Sequence, residues 1–162
     1  MDYTPEQLAE LSNEELEVVF REDRHVSVPE GLYRGCVIRR LDNRGARLWL
    51  PRVLEFVGFE IAPFGIDFRH NRWYFASQRL QAGRFTPRVQ PSRWRDTQVV
   101  ALHYGVSRLP GFMRNYLYDE VKPLGNGVLL GLGGINRDLG IGDHFFFSLE
   151  LVAGTGSSEV AT

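Results

Sequence analysis

The sequence predicts a mainly β protein: one antiparallel barrel or sandwich of about eight strands, led by two short helices, with one helix after the first strand. Three observations carry that prediction. Segments rich in aromatic and β-forming residues recur in close succession from Leu32 onward. Short turn signals separate them, the clearest being Asn126-Gly127. At 162 residues and 43% hydrophobic content, the chain suits a single domain that encloses a real core.

The elements follow in order. In Thr4-Pro5-Glu6-Gln7, Thr4 caps a helix, Pro5 suits its first position and Gln7 reaches back as in a capping box. Ser12-Asn13-Glu14-Glu15 repeats the signal, which predicts a short turn of helix and then a second helix over roughly 13–22. Leu8, Leu11, Leu16, Val19 and Phe20 form one apolar stripe that must pack on something, first of all the rest of the domain. Pro29-Glu30-Gly31 is a turn, and residues 32–39 alternate as a strand. Residues 42–58 read as a helix, with Trp49, Val53, Phe56 and Val57 on one face, Gly58 as its stop, and Pro51 kinking it or marking its start. Residues 64–69, 72–79 and 84–90 read as short strands, with reversals at His70-Asn71 and Ala82-Gly83. Residues 98–105 make the next strand, and 112–117 a single helical turn after Pro110-Gly111. Residues 119–124 and 128–133 flank the Asn-Gly turn as a hairpin. The glycine-rich stretch up to 143 reads as a flexible mouth loop, and residues 144–151 close the chain as a strong strand. The organisation expected is an acidic helical extension over 1–24, a barrel over 25–152 and a polar tail over 153–162.

Nineteen basic and twenty acidic residues leave a formal charge of −1, which gives no support to nucleic-acid binding or a polybasic membrane anchor. The balance is uneven along the chain. Residues 1–23 hold eight acids against Arg21, and the remainder holds twelve acids against eighteen bases, so a −7 lead precedes a +6 body. Lys122 is the sole lysine; the other bases are arginines, which favour carboxylate or phosphate partners and aromatic faces. A single cysteine, Cys36, excludes an internal disulfide and a Cys-based metal cluster. No apolar h-region opens the chain and no stretch approaches ~18 apolar residues, so neither a signal peptide nor a membrane span is expected. The expected location is the cytoplasm.

Several motifs, taken in order, resemble a known group. Gly31-Leu32-Tyr33-Arg34-Gly35 resembles the G-x-[WY]-x-G opening of lipocalin-like and fatty-acid-binding-protein-like barrels, the calycin group. Downstream come Ser92-Arg93-Trp94-Arg95-Asp96 and Leu102-His103-Tyr104. Tyr118-Asp119-Glu120-Val121, Gly127-Val128-Leu129-Leu130-Gly131 and Phe147-Ser148-Leu149-Glu150 follow. In order and spacing these resemble a bacterial lipocalin-like family without assigned activity, over roughly residues 29–151. His103 departs from the pattern, which has an acidic residue before Tyr104. The resemblance implies an eight-stranded barrel with room for a small hydrophobic ligand.

The residues that would carry chemistry are sparse. Trp73, Phe75, Ser77 and Arg79 share one face of a strand, which makes Arg79 the best inward cation for a ligand carboxylate. His25, His70, His103 and His144 form no H-x-x-x-H or H-x-H pair, so no metal site is expected; a lone histidine leaves haem as the one conceivable cofactor. Val99, Ala101 and His103 face one way and Val100, Leu102 and Tyr104 the other, so periodicity does not choose the inside. Asp119 and Glu120 point to opposite faces, one expected in water and the other paired with Arg114 or Lys122. Gly131-Leu132-Gly133-Gly134 lacks the context of a nucleotide loop.

The function expected is binding of a small hydrophobic molecule (lipid, terpenoid or polyketide-like), with an anionic head where Arg79 receives it. Trp73, Trp94, Tyr104, Phe112 and Tyr118 would shape the cavity, and Arg79 or His103 would orient the head. The alternative is a cyclase or isomerase on the same barrel, with His103, Tyr104 and Tyr118 as acid and base. A third reading makes the acidic helices a protein-interaction surface. Oligomeric state is left open.

Overall fold

A computed structural model describes residues 2–41, 64–75, 77–114, 117–137 and 141–152, with the backbone alone at 77–82, 112, 113, 135–137 and 141. Two helices come first, α1 (Pro5–Glu10) and α2 (Asn13–Arg21). Both carry complete capping boxes. Gln7 N donates to Thr4 Oγ1 at 3.3 Å while Thr4 N donates to Gln7 Oε1 at 2.9 Å. Ser12 and Glu15 repeat the exchange at 3.2 and 2.8 Å. The strands are β1 (Leu32–Arg40), β2 (Phe64–Asp67), β3 (Arg72–Phe75), β4 (Ser77–Arg84), β5 (Thr86–Pro91), β6 (Gln98–His103), β7 (Leu117–Gly125), β8 (Val128–Arg137) and β9 (Ile141–Leu151). A 3-10 turn (Tyr104–Val106) and a short helix α3 (Gly111–Arg114) stand between β6 and β7. Among the described residues, no helix is long and apolar enough to cross a membrane.

Every strand pairs antiparallel with its neighbours, in the order β4-β3-β2-β1-β9-β8-β7-β6-β5. The two ends of that order are consecutive in the chain, separated only by Phe85. They are halves of one run: the first half pairs with β3 and the second with β6. Counted as one strand they make eight, the even number that an antiparallel closure requires. The hand-over occurs at Phe85, whose N–H donates to Asn71 O at 3.0 Å while Thr86 already stands opposite His103. The result is a nearly closed barrel with β9–β1 completing the circuit.

Alternation along β6–β9 sorts two apolar sets. Val100, Leu102, Tyr104, Val121, Leu129, Phe145, Phe147 and Leu149 face inward and join Tyr33, Phe64, Ile66, Phe68, Trp73 and Phe85 in the barrel core. Val99, Leu124, Val128, Leu130, Leu132 and Phe146 face outward and meet Leu8, Leu16, Val19 and Phe20 of the helices. The acidic lead therefore lies on the outer wall of β6–β9. Polar ties add to the apolar contact. Arg95 donates to the Glu17 carboxylate of α2 and to Asp143 at 2.5 Å, and Arg24 Nη1 donates to Leu124 O at 2.9 Å.

Three expectations need correction or restriction. The reversal placed at Ala82-Gly83 is a bulge inside β4: Gly83 takes φ 66° where the register against β3 skips, and the chain reverses between Phe75 and Ser77 instead. The glycine-rich stretch is strand rather than loop as far as Arg137, and strand again from Ile141. Its glycines make room for rings on β9: a Cβ at Gly131 would lie 2.1 Å from the Phe147 ring, and one at Gly133 2.5 Å from that of Phe145. Glycine serves aromatic packing across the pair there, not backbone freedom. The helix expected over 42–58 and the tail 153–162 lie outside the described residues. At the hairpin, Asn126 and Gly127 take φ 48° and 72°, the two positive values of a type I′ turn.

Burial of Phe20, which is 0% exposed, dominates the docking of α2. Phe20→Ala is expected to lower the unfolding free energy by about 3–5 kcal/mol. Urea denaturation should give nearly the same loss at low and high salt, because apolar contact is not screened. Glu17→Gln should cost less.

Candidate functional site

Three polar side chains meet inside the barrel. Trp73 comes from β3, Tyr104 from the turn that ends β6, and Asp119 from β7. Each sits at an inward position of its strand, so the three converge although they are far apart in sequence. Trp73 Nε1 donates to Tyr104 Oη at 2.5 Å, and the Tyr104 hydroxyl donates to Asp119 Oδ2. A backbone N–H of Gly134 also donates to the Asp119 carboxylate. Trp73 and Tyr104 are 5% and 3% exposed, and Asp119 retains 9%.

Burial is the main influence on the titration of this chain. It pushes the Asp119 carboxyl up to about 7, against the opposing hydrogen bond from Tyr104 and with added repulsion from Glu120. The Tyr104 hydroxyl is driven far above its usual range, first by burial, then by the charge of Asp119 and by the hydrogen bond to it. Around these groups the wall is aromatic. Trp73 stacks on Phe64 at 5.6 Å and on Phe75 at 6.3 Å, and Phe147 lies 5.8 Å from both Trp73 and Phe145. Val37, Phe75 and Leu117 pack against the core but are only half-buried. All three lie toward the end of the barrel from which β1 leads to β2, β3 to β4, β6 to β7 and β8 to β9.

The structure divides the residues singled out from the sequence. Trp73 and Tyr104 share the interior. Trp94, His103 and Tyr118 meet instead on the outer face of β5–β7. There Trp94 and His103 pack edge-on against Tyr118 at 5.2 and 5.6 Å, and the Arg93 guanidinium lies 4.6 Å over its ring. Gln90 bridges the group: its Nε2 donates to Tyr118 Oη at 3.1 Å, and its Oε1 is 3.0 Å from His103 Nε2. Burial holds His103 below its ordinary value, helped by the charges of Arg88 and Arg93. Burial likewise raises Tyr118, together with the nearby Glu120. Arg79 lies in β4 and Phe112 in α3, and their side chains fall outside the described ones.

Asp119 is the residue that sequence reasoning passed over. Neither it nor Glu120 faces water: Asp119 points inward, and Glu120 is buried on the outer side, accepting from Ser92 Oγ at 2.5 Å and Arg93 N at 2.7 Å. Neither pairs with the expected bases. Lys122 donates to Thr97 Oγ1, and Arg114 Nη1 lies 3.5 Å from Ser107 O. The available signal was the alternation Leu117, Asp119, Val121, which puts Asp119 in an apolar row.

Among the described residues no group of three or more His, Cys, Asp or Glu side chains is arranged to hold a metal ion. His25 and His70 are exposed, and strand alternation turns His103 and His144 outward, so a haem in the barrel would find no axial imidazole among them. His144 lies on the outer wall, with its Nε2 buried and unpartnered and its pKa lowered by burial. Two grooves of about 220 and 370 Å³ flank α1 on the outer surface, and none of the candidate cavity residues lines them. No protein-family model, curated protein or solved structure matches the chain.

The Asp119 carboxyl is held above its ordinary value of 3.8, so its contribution to stability is present at low pH and lost as pH rises through about 7. Asp119→Asn keeps an acceptor for Tyr104 and has no charge to bury. The melting temperature of this variant relative to the native protein should therefore climb between about pH 4 and pH 7 and then level off. A difference that does not change with pH would contradict the burial of an ionisable Asp119.

Proposed function

We propose that the barrel binds one small, largely hydrophobic molecule through its open end, as the lipocalin-like barrels it resembles do. The observation that carries this reading is the Trp73–Tyr104–Asp119 chain set in an aromatic wall. A core built for stability alone gains nothing from a buried carboxyl, whose desolvation is costly. Ligand sites, by contrast, combine apolar walls with a few placed polar groups. The half-buried side chains of Val37, Phe75 and Leu117 mark the end of the barrel at which a ligand would enter. Lipids, terpenoids and polyketide-like molecules have the right character. The exposed single thiol of Cys36 suits a reducing compartment, and we place the protein in the cytoplasm on that ground.

A second reading has its own support. A carboxyl that titrates at about 7 beside a phenol is poised to move protons near neutral pH. On that reading the barrel is a cyclase or isomerase for a hydrophobic metabolite, with Asp119 and Tyr104 as the acid–base pair. His103 and Tyr118 are then not catalytic, because they lie on the other side of the wall.

N-phenyl-1-naphthylamine, a neutral dye that brightens in apolar surroundings, tests the binding reading. It is expected to bind the full chain at one site per molecule. Leu117→Trp should fill the entrance and weaken the dye at least tenfold with little change in melting temperature. A native protein that leaves the dye dark, and that carries no co-purified small molecule in native mass spectrometry, would overturn the reading.

A further inference from the structure

We propose that the groove between α1 and β1 on the outer surface is a thiol-exchange site, at which Cys36 takes one half of a small amino-bearing disulfide as a mixed disulfide. The site lies outside the barrel and does not depend on what the interior binds.

The groove encloses about 370 Å³, within the range of small-molecule sites. It runs between Glu6 and Ala9 of α1 and Arg34 and Cys36 of β1, with Ser148 and Glu150 of β9 beside them. Register sets Cys36 directly opposite Ser148, and Arg34 opposite Glu150. Opposed residues of an antiparallel pair project from the same face, with their Cβ atoms roughly 5 Å apart. Phe146, two positions before Ser148, packs against the helices and marks that face as the outer one. The thiol and the hydroxyl therefore stand side by side on the groove floor. Cys36 is exposed, and its S–H makes only a weak contact, 3.5 Å, with Val37 O. Ser148 is 2% exposed, yet it lines the groove, and its hydroxyl meets no hydrogen-bond partner among the described residues. A buried hydroxyl left without a partner is costly, and a group bound in the groove recovers that loss by accepting from it.

Charge selects the ligand. Arg34 Nη2 donates to the Glu150 carboxylate at 2.7 Å, so these two offset one another. Glu6 is left over among the described lining residues. Its own backbone N–H and the Thr4 hydroxyl donate to its carboxylate and hold it below its ordinary value, so it is ionised at neutral pH. A lining with one surplus carboxylate attracts an ammonium and repels a second acid. The exchange itself is balanced. The thiol loses its proton to water, and the thiolate attacks one sulfur of the disulfide. The new Sγ–S bond forms as the old S–S bond breaks, and the other half leaves as a thiolate that takes up a proton. One disulfide is consumed and one is made, so no further oxidant enters. The Ser148 hydroxyl donates to the attacking or departing sulfur.

Three disulfides of different charge test the site: cystamine (cationic), bis(2-hydroxyethyl) disulfide (neutral) and dithiodiglycolate (anionic). Each is mixed with the full chain at low salt, and the adduct is followed by intact mass. Dividing each rate by that of the same chain unfolded in urea removes the intrinsic reactivity of the reagent. The normalised rate for cystamine is expected to exceed that of the neutral disulfide by roughly fivefold, with dithiodiglycolate slowest. Glu6→Gln should bring cystamine down to the level of the neutral disulfide without changing the latter. Ser148→Ala should slow all three reagents alike. Equal normalised rates for the three overturn the proposal, as does a lead for cystamine that survives Glu6→Gln. A native chain that reacts with cystamine no faster than the unfolded one also overturns it, because the groove then adds nothing to an exposed thiol.

Discussion

The wall formed by β6–β9 is apolar on both faces, and the rest of the molecule follows from that constraint. A strand buried on one side alternates apolar with polar residues, but here both sides must be covered. The inner face finds its cover by curling on itself: Val100, Leu102, Val121, Leu129, Phe145 and Phe147 close against β1–β3. The outer face cannot do this, and Val99, Leu130, Leu132 and Phe146 are covered by α1 and α2. The helical lead is thus part of the domain's packing, whatever its charge. The −7 of residues 1–23 contributes at defined points, above all the Glu17–Arg95–Asp143 group. It also leaves Glu10 and Glu14 exposed on the solvent side of the covering helices.

Closure by a strand that changes partners has a second consequence. Because β4 and β5 are one run with a hand-over at Phe85, β3 and β6 flank that same run. Trp73 of β3 therefore reaches the hydroxyl of Tyr104, just past the end of β6 and 31 positions later in the chain. The polar chain in the interior is therefore a product of how the barrel closes. Its last member, Asp119, bears the cost of that position, and burial pushes its carboxyl up to about 7.

The sequence by itself determined much of the local structure. Both capping boxes, the type I′ turn at Asn126-Gly127 and the antiparallel succession of about eight strands follow from short-range residue patterns, which act before any tertiary contact forms, whereas the reversal between Phe75 and Ser77 was not read there. Two things were settled only by tertiary structure. One was the meaning of the glycines at 131 and 133, which look like loop residues until the rings of Phe147 and Phe145 are seen lying over them. The other was the inside of the barrel. Where both faces of a strand are apolar, periodicity carries no sign, and Tyr104 and His103 are equal candidates for the interior. Closing the barrel and docking the helices broke that symmetry. It sent His103, Trp94 and Tyr118 to the outer wall and drew Asp119 inward, because which face is enclosed depends on what packs against it and not on the strand alone.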